Sequence, residues 1–305
     1  MSLKGLKYFL TKPGGWFFFL SSRGLLKRMD DEAYIRREFK YSLGYEPDLE
    51  HPKTFNEKTQ WLKLHDRRPL YTQLVDKYEA KRIVTEKLGA EYVIPLLGSP
   101  WDSVGEIDFD ALPEQFVLKC THDSGGVVIC RDKAAFDREA AKAKLEKAMR
   151  RNFYWPGREW PYKDVRPRII AERYLEDESG ELLDYKFFTF HGEVFCVQVD
   201  YDRFTDHHRN FYTLDWEYMP FTTCYPTDPA HQISKPACFD KMLQAVQFLC
   251  SDAFPFLRVD MYAVGDQPIF GEFTLYHGSG LERFMPEEWD VRLGEQCRLP
   301  TDEVS

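Results

Sequence analysis

Two acidic residues, Asp260 and Glu272, lie in consecutive strand-like runs that a short Gly-containing stretch joins. This pattern predicts a β-hairpin. If the loop spans residues 265–267, Val264 pairs with Pro268 and Asp260 lies directly opposite Glu272. Like charges opposed on one face of a hairpin destabilise it by about 0.2–1 kcal/mol. The register therefore predicts a cation between the two carboxylates.

Mg²⁺ is the cation that such carboxylate oxygens favour. Two alternatives stay open for the hairpin alone: both acids point into water, or Arg258 alone compensates their charge. The predicted register also divides the hairpin into two faces. One face holds Val259, Met261, Ala263, Ile269, Gly271, Phe273 and Leu275, and the other holds Arg258, Asp260, Tyr262, Phe270, Glu272 and Thr274.

Residues 121–126 form a second candidate site, because Ser124, Gly125 and Gly126 lie between two short strand-like runs. Successive glycines let the backbone approach a ligand, and their N–H groups can form an anion-binding nest. A simple turn explains the same pattern. Lys119 precedes the loop in an otherwise apolar run, where a lysine needs a partner or extends past the strand edge into solvent.

Charged residues also interrupt two other apolar runs. Lys186 follows Asp184 by two residues, so both side chains point to one face of a strand, as they would in a simple buried ion pair. Glu172 lies in a run whose backbone could hold a planar heterocycle, or it pairs with the neighbouring Arg173. The polar segment 203–210 is typical of a loop and offers a candidate set for an anionic substrate: Arg203, His207, Arg209 and Asn210.

Composition limits the class of protein. The chain has 305 residues, of which 43% are hydrophobic and 16% aromatic, so it is long and apolar enough for a folded core. A net charge of -9 argues against a general nucleic-acid surface. The seven cysteines are scattered and lack a C-x-x-C pair, which predicts reduced, mostly buried thiols and a cytoplasmic protein without a zinc site.

The first 28 residues are basic and contain an aromatic run at residues 16–20. This run is too short to span a bilayer, and residues 13–15 interrupt the apolar stretch that a signal peptide would need. Packing against the rest of the protein is the favoured interpretation. Peripheral contact with an anionic membrane surface, at the inner face of the membrane, is the alternative.

Periodicity predicts helices at residues 30–41, 56–65, 71–88, 133–151 and 239–250. It predicts strands at residues 92–97, 116–120, 127–131, 168–175, 184–190 and 193–200, besides the carboxylate hairpin. An acidic tail interrupted by prolines follows the hairpin. Helices mixed with antiparallel hairpins predict an α+β, or mixed α/β, fold.

The order of these features resembles the ATP-grasp superfamily. Lys77 on a helix comes first, then Lys119 and the glycine loop, then Glu172, then the Asp184–Lys186 pair, and last the carboxylate hairpin. Four further motifs are similar to the TupA-like ATP-grasp family, which is associated with teichuronopeptide and other cell-surface polymer genes. They lie at residues 41–45, 53–58, 60–64 and 157–162, and the resemblance covers about residues 41–294.

The resemblance implies two α+β subdomains that clamp ATP, preceded by an atypical helical N-terminal segment. The expected division is residues 1–70 for that segment, 71–180 for the smaller subdomain with the glycine loop, and 181–305 for the subdomain with the magnesium hairpin. The implied ligands are ATP, Mg²⁺, and small carboxylate and amine substrates, and the polymer genes associated with the family suggest that these substrates are saccharide-linked.

The family pattern also implies residue roles. Three lysines would reach the phosphates: Lys77, Lys119 and Lys186. The glycine loop, with Ser124, Gly125 and Gly126, would close over the phosphates. The adenine would be held by the backbone from Glu172 through Arg173 to Leu175, and Asp184 would lie near the ribose. Asp260 and Glu272 hold Mg²⁺, while Arg258 and Lys186 are catalytic cations. These roles imply a carboxylate–amine ligase that forms an amide through an acyl phosphate.

Two other functions fit the same nucleotide site: phosphoryl transfer to a hydroxyl, and non-catalytic nucleotide binding in an envelope-polymer pathway. Thr274 is relevant to this choice, because the wider superfamily usually has Asn two residues after the second metal carboxylate. The sequence after Thr274 also departs from the common Asn-x-x-Pro-Gly pattern.

Overall fold

The computed structural model describes residues 14–176, 182–203, 205–250 and 254–300. The start of the basic N-terminal segment, before Gly14, lies outside the described residues. The helices are α1 Gly15–Ser22, α2 Asp31–Leu43, α3 Phe55–His65, α4 Pro69–Val75, α5 Lys77–Leu88, α6 Arg138–Met149, α7 Tyr154–Gly157, α8 Phe239–Leu249 and α9 Glu288–Gln296. Short 3₁₀ turns lie at Ala90–Tyr92, Val104–Glu106, Trp160–Tyr162 and His277–Gly280.

The strands form two antiparallel sheets. They are β1 Phe116–Cys120, β2 Val127–Cys130, β3 Ile169–Arg173, β4 Asp184–Phe190, β5 Glu193–Tyr201, β6 His208–Tyr212, β7 Tyr218–Met219, β8 Leu257–Val264 and β9 Gln267–Thr274. The smaller sheet has the order β2-β1-β3, and the larger has the order β7-β6-β5-β4-β8-β9. Helices and antiparallel sheets together confirm the predicted α+β class.

Each sheet has its own hydrophobic core. The smaller core lies between the three-stranded sheet and α6, where Phe116 and Leu145 are fully buried. The larger core lies against the six-stranded sheet and includes side chains from both of its faces, such as Phe187 and Phe188, and from α8. Tyr71 of α4 and Val84 of α5 pack into this larger core. Both residues fall within the range 71–180 that was predicted to form the smaller subdomain.

One long helix was expected at residues 71–88, but Asp76 divides it into α4 and α5. The carboxylate of Asp76 accepts hydrogen bonds from the backbone N–H groups of Tyr78 and Glu79, which is how an N-cap starts a helix. The predicted strand at residues 92–97 forms only isolated bridges, from Val93 to Phe270 and from Leu96 to Glu172. A helix, α9, stands in the tail where no element was predicted.

The carboxylate hairpin places Asp260 opposite Glu272, as predicted, but by a different route. The turn has two residues, so Val264 pairs with Gln267, and the predicted three-residue loop is wrong. A β-bulge at Gly271 adds the missing residue and restores the pairing of the two acids. The outer part of β9 is therefore rotated relative to the prediction, and Phe270 lies opposite Met261 in the core.

The N-terminal helix packs partly against the protein. Phe17 of α1 is buried, and its ring contacts the rings of Tyr34 and Tyr41 from α2. Trp16 on the same helix is 55% exposed. Within the described part of the chain, no helix is long and apolar enough to cross a membrane.

Candidate active site

One face of the six-stranded sheet carries a continuous set of charges. Arg209 on β6 lies opposite Asp200 on β5, which lies opposite Asp184 on β4. One step along the strands, Lys186 on β4 lies opposite Asp260 on β8, which faces Glu272 on β9. Residues directly opposite in a sheet share a face, so the register gathers residues from five strands on one surface. This surface is called the charged face below.

Lys186 lies at the centre of the charged face. Its Nζ atom pairs with Asp184 and lies 3.1 Å from Asp260 Oδ2 and 3.5 Å from Asp200 Oδ2. Burial alone would lower the pKa of Lys186, but the surrounding carboxylates, Asp184 above all, raise it. The side chain therefore remains an ammonium ion. The buried Asp184–Lys186 pair that the sequence analysis considered is present, as part of a larger cluster.

Arg258 binds Asp260 through two parallel hydrogen bonds. Nε donates to Oδ1 and NH2 donates to Oδ2, each at 2.7 Å. This bidentate geometry is among the stronger forms of ion pair. Against the effect of burial, Arg258 and Lys186 hold the pKa of Asp260 below its ordinary value. Arg258 therefore does compensate one of the two acids.

Glu272 is the more open carboxylate of the hairpin. Its side chain is 48% exposed, and its nearest charged partner atom is Arg258 NH2, at 3.8 Å. Among the described residues no three acidic, His or Cys side chains form a metal cluster. Mg²⁺ commonly uses only one or two carboxylates together with nucleotide phosphates, so the donor set of Asp260 and Glu272 fits Mg²⁺ that is held jointly with a nucleotide.

Glu172 on β3 joins Lys119 on β1 to Lys81 on α5. It is 2% exposed, and its two carboxylate oxygens lie 2.6 Å from Lys119 Nζ and 2.9 Å from Lys81 Nζ. Despite burial, which opposes ionisation, the two ammonium groups lower the pKa of Glu172 to about 2. Glu172 is thus a buried anion that fixes Lys119, rather than an exposed partner of Arg173.

Lys81 was missed by the sequence analysis. It lies on the buried side of α5, next to Ala80 and one turn before Val84, and is only 5% exposed. A lysine among the buried positions of an amphipathic helix needs an anionic partner. The apolar pattern of this helix was therefore the sequence signal that could have identified Lys81 as a buried, paired lysine.

Lys77 and the glycine loop are connected directly. Lys77 Nζ donates a hydrogen bond to the backbone oxygen of Asp123, at 2.6 Å, and the backbone N–H of Gly126 donates to Asp123 Oδ1. A Cβ atom at Gly126 would come within 2.7–2.9 Å of three neighbouring atoms, whereas Gly125 has φ +111° and open space around it. Ser124 and Gly125 are exposed at the tip, where a ligand can approach.

Both edges of β3 are hydrogen-bonded to neighbouring backbone as far as Arg173. The strand β1 pairs along one side, and on the other side Leu97 N–H donates to Ala171 O and Arg173 N–H donates to Pro95 O. The backbone that continues through Leu175 lies beyond these pairings. It is the part of the predicted adenine-binding segment that extends past both neighbours.

Three of the four predicted substrate residues reach the charged face. Arg203 NH1 lies 3.2 Å from Asp184, Arg209 Nε lies 2.8 Å from Asp200, and His207 Nε2 lies 3.4 Å from Asp200. Asn210 pairs with Val199 and so points to the opposite face, where it binds backbone atoms of the segment 227–231. The segment was expected to be a loop, but β6 begins within it at His208.

Tyr162 is a further residue that the structure brings to this region. Burial, followed by the nearby carboxylates of Glu159 and Glu272, raises the pKa of its phenol, and Asp123 of the glycine loop also contributes. The phenol of Tyr162 is thus within electrostatic reach of both the loop and the carboxylate hairpin. Tyr162 belongs to the motif at residues 157–162, whose sequence indicated the family but no role at the site.

The glycine loop joins two strands of the smaller sheet, and the carboxylate pair lies on the hairpin of the larger sheet, which is the arrangement that the resemblance to ATP-grasp proteins implied. The sequence matches the TupA-like ATPgrasp family over residues 57–298. The chain therefore belongs to the TupA-like ATP-grasp family, as its motifs predicted. No curated protein sequence matches it at a significant level.

Several solved structures are similar to the chain. The ADP complex of purK, an N5-carboxyaminoimidazole ribonucleotide synthetase, has 16% identity and a TM-score of 0.44, and covers 72% of this chain but only 50% of its own. D-alanine–D-alanine ligase from Helicobacter pylori has 11% identity and a TM-score of 0.42, with 80% and 69% covered. The Bacillus anthracis enzyme with ATP has 15% identity and a TM-score of 0.38, with 74% and 68% covered.

Proposed function

We propose that the protein is an ATP- and Mg²⁺-dependent ligase that joins a carboxylate to an amine and releases ADP. The observation that carries this proposal is the charged face, where Lys186, Arg258 and Asp260 form one ion-paired group beside the open carboxylate of Glu272. Phosphoryl transfer requires such positioned charges more than it requires a protein nucleophile. Membership in an ATP-grasp family supports the nucleotide assignment.

In the proposed reaction, an oxygen of the substrate carboxylate attacks the γ-phosphorus of ATP, and ADP leaves with the electrons of the broken P–O bond. The amine nitrogen then attacks the acyl carbon, loses a proton and displaces phosphate, which leaves an amide. Arg258 has five N–H donors, and hydrogen bonds within the described part of the chain use three of them. The remaining two are available to phosphoryl oxygens.

The nucleotide roles follow the family pattern. Lys77 and Lys119 bind phosphates, the loop of Ser124, Gly125 and Gly126 closes over them, and the backbone through Arg173 and Leu175 holds adenine, with Asp184 near the ribose. Asp260 and Glu272 would hold Mg²⁺, which supplies charge neutralisation at the phosphates when it is bound. Arg203, His207 and Arg209 face the substrates, and the polymer context of the family suggests saccharide-linked substrates.

The first experiment mixes the protein with ATP, Mg²⁺ and pooled carboxylates and amines. ADP is expected only when an acceptable acid and amine are both present, and hydroxylamine should trap the acyl phosphate as a hydroxamate. Release of AMP would contradict the proposal. ADP formation with a hydroxyl substrate and no carboxylate would instead support phosphoryl transfer to a hydroxyl.

Glu272→Gln tests the metal assignment. Turnover should be lost, while the unfolding free energy should change by less than about 0.5 kcal/mol because the side chain is half exposed. Glu288→Gln, at an exposed position of α9, is the matched control and should keep full activity. Retained turnover in Glu272→Gln would remove Glu272 from the metal site.

A further inference from the structure

A histidine and a glutamate lie directly behind Arg258. The NH1 atom of Arg258 is 2.9 Å from His277 Nδ1, and His277 Nε2 is 3.2 Å from Glu282 Oε2. His277 is 2% exposed, and its ring packs edge-on against Phe188. Neither residue belongs to the family pattern used above, and neither reaches the nucleotide-binding loop.

The contacts of His277 define its tautomer. A guanidinium group can only donate hydrogen bonds, so Nδ1 must be the acceptor and the ring proton must lie on Nε2. The proton on Nε2 faces Glu282 Oε2 at 3.2 Å, which is an ion-pair distance without the alignment of a hydrogen bond. A proton on Nδ1 would instead direct two donors at each other. Burial lowers the pKa of His277, which also favours the neutral ring.

Glu282 is fixed in turn by the substrate side of the charged face. Its Oε2 atom lies 3.1 Å from Arg209 NH1, and Arg209 also binds Asp200. The contacts therefore close a ring that returns to Arg258 through Lys186 and Asp260. Within this ring, the charged groups that face His277 are Arg258 on β8, Arg209 on β6 and Glu282 on its own segment.

The backbone that carries His277 is braced by α3. Lys63, which is fully buried, donates to the backbone oxygen and the hydroxyl of Ser279, and Gln60 donates to the backbone oxygens of Ser279 and Gly280. Asn56 donates to the backbone oxygen of Glu282. Ser279 has φ +57°, a strained conformation for a residue with a side chain that persists only where its surroundings enforce it.

We propose that His277, held in its Nε2–H form by Glu282, is a positioning residue that fixes the NH1 side of Arg258. Asp260 fixes the other side of the guanidinium, so the plane of the group is defined at both ends. This inference rests on the proposed function, because it assigns Arg258 to the transferred phosphoryl group. It also gives α3 a role, as the helix that supports the segment 277–282 behind the site.

The tautomer can be tested without any substrate. In ¹⁵N-histidine-labelled protein, the signals of His277 are identified by their loss in His277→Asn, and long-range ¹⁵N–¹H couplings report which ring nitrogen carries the proton. The expected result is a neutral ring protonated on Nε2 at pH 7. A ring protonated on Nδ1, or on both nitrogens, would overturn the proposal whatever reaction the protein catalyses.

The kinetic test compares two substitutions. Asn can offer its side-chain oxygen near the position of Nδ1, whereas Phe keeps the ring packing but offers no acceptor. In His277→Phe, kcat should fall about 10- to 100-fold, the usual effect of losing a positioning contact, while the KM for ATP changes less than about threefold. His277→Asn should recover to within about fivefold of wild type, and His51→Asn, at an exposed histidine, should be unaffected.

Equal kcat losses in the Phe and Asn variants would overturn the positioning role, and so would unchanged kcat in His277→Phe. If the wild-type protein forms no ADP with any carboxylate, the proposed function fails, and the NMR result still decides whether His277 is the acceptor for Arg258. The two failures are thus separable.

Discussion

Glu172→Gln removes one negative charge from between two lysines and changes the volume of the side chain very little. Lys81, at 5% exposure, would then keep its charge in the interior with the backbone oxygen of Ile94 but no carboxylate beside it. Removing one member of a buried ion pair costs about 3–5 kcal/mol. The lowering of the pKa of Glu172 from 4.5 to about 2 gives a similar value, about 3 kcal/mol.

The effect should depend on pH in a defined direction. Because the folded-state pKa is lower than the unfolded one, the stabilisation is fully present above the unfolded value near 4.5 and is lost as the pH falls toward about 2. The wild type should therefore exceed Glu172→Gln by about 3 kcal/mol at pH 7 and by about 1.5 kcal/mol at pH 3.

Urea unfolding at both pH values, followed by circular dichroism, measures this difference. Glu86→Gln is the control, since Glu86 is 61% exposed in its pair with Arg82 and should contribute less than about 0.5 kcal/mol. If the two variants are equally stable, or if the difference grows on acidification, the ion-paired group of Glu172, Lys81 and Lys119 does not stabilise the fold as described.

Two further predictions concern the glycine loop and the cysteines. Gly126→Ala should destabilise the protein by about 1–3 kcal/mol, since its methyl group would meet three atoms at 2.7–2.9 Å. Gly125→Ala should cost only about 1 kcal/mol, for its backbone conformation. Unfolding midpoints measure both changes, and a larger loss of stability in Gly125→Ala would contradict the packing. Six of the seven cysteines are buried and only Cys224 is exposed, so a thiol reagent should titrate one equivalent in the native protein and seven after unfolding, and Cys224→Ser should remove the native equivalent.

The sequence was sufficient to predict the strands whose pattern is local. β1, β4, β5 and the carboxylate hairpin were predicted to within one or two residues, because alternating apolar residues and short turns define them. The seven thiols were also expected to be reduced and mostly buried, and no disulfide links them. The order of features along the chain indicated the ATP-grasp superfamily, and four short motifs indicated the TupA-like family within it.

Features that depend on distant residues were not predictable. The segment at residues 203–210 is polar because Arg209 pairs with Asp200 across the sheet, and this polarity hid the start of β6. Asp76 has two roles, as the N-cap of α5 and as a partner of Arg168, so no local pattern marked the break in the helix. The brace from Lys63 to Ser279 links residues more than two hundred positions apart.

The bulge at Gly271 has a consequence for how the two carboxylates of the hairpin stay opposite each other. With a two-residue turn and no bulge, Asp260 would face Gly271, and Glu272 would turn toward the core. Two arrangements keep the two acids opposite each other. The first is the observed one, with a two-residue turn and a bulge at Gly271, and the second is a three-residue turn without a bulge. Only the second arrangement would expose Phe270, which is 1% exposed here. The bulge therefore keeps the two carboxylates opposite each other while Phe270 remains in the core.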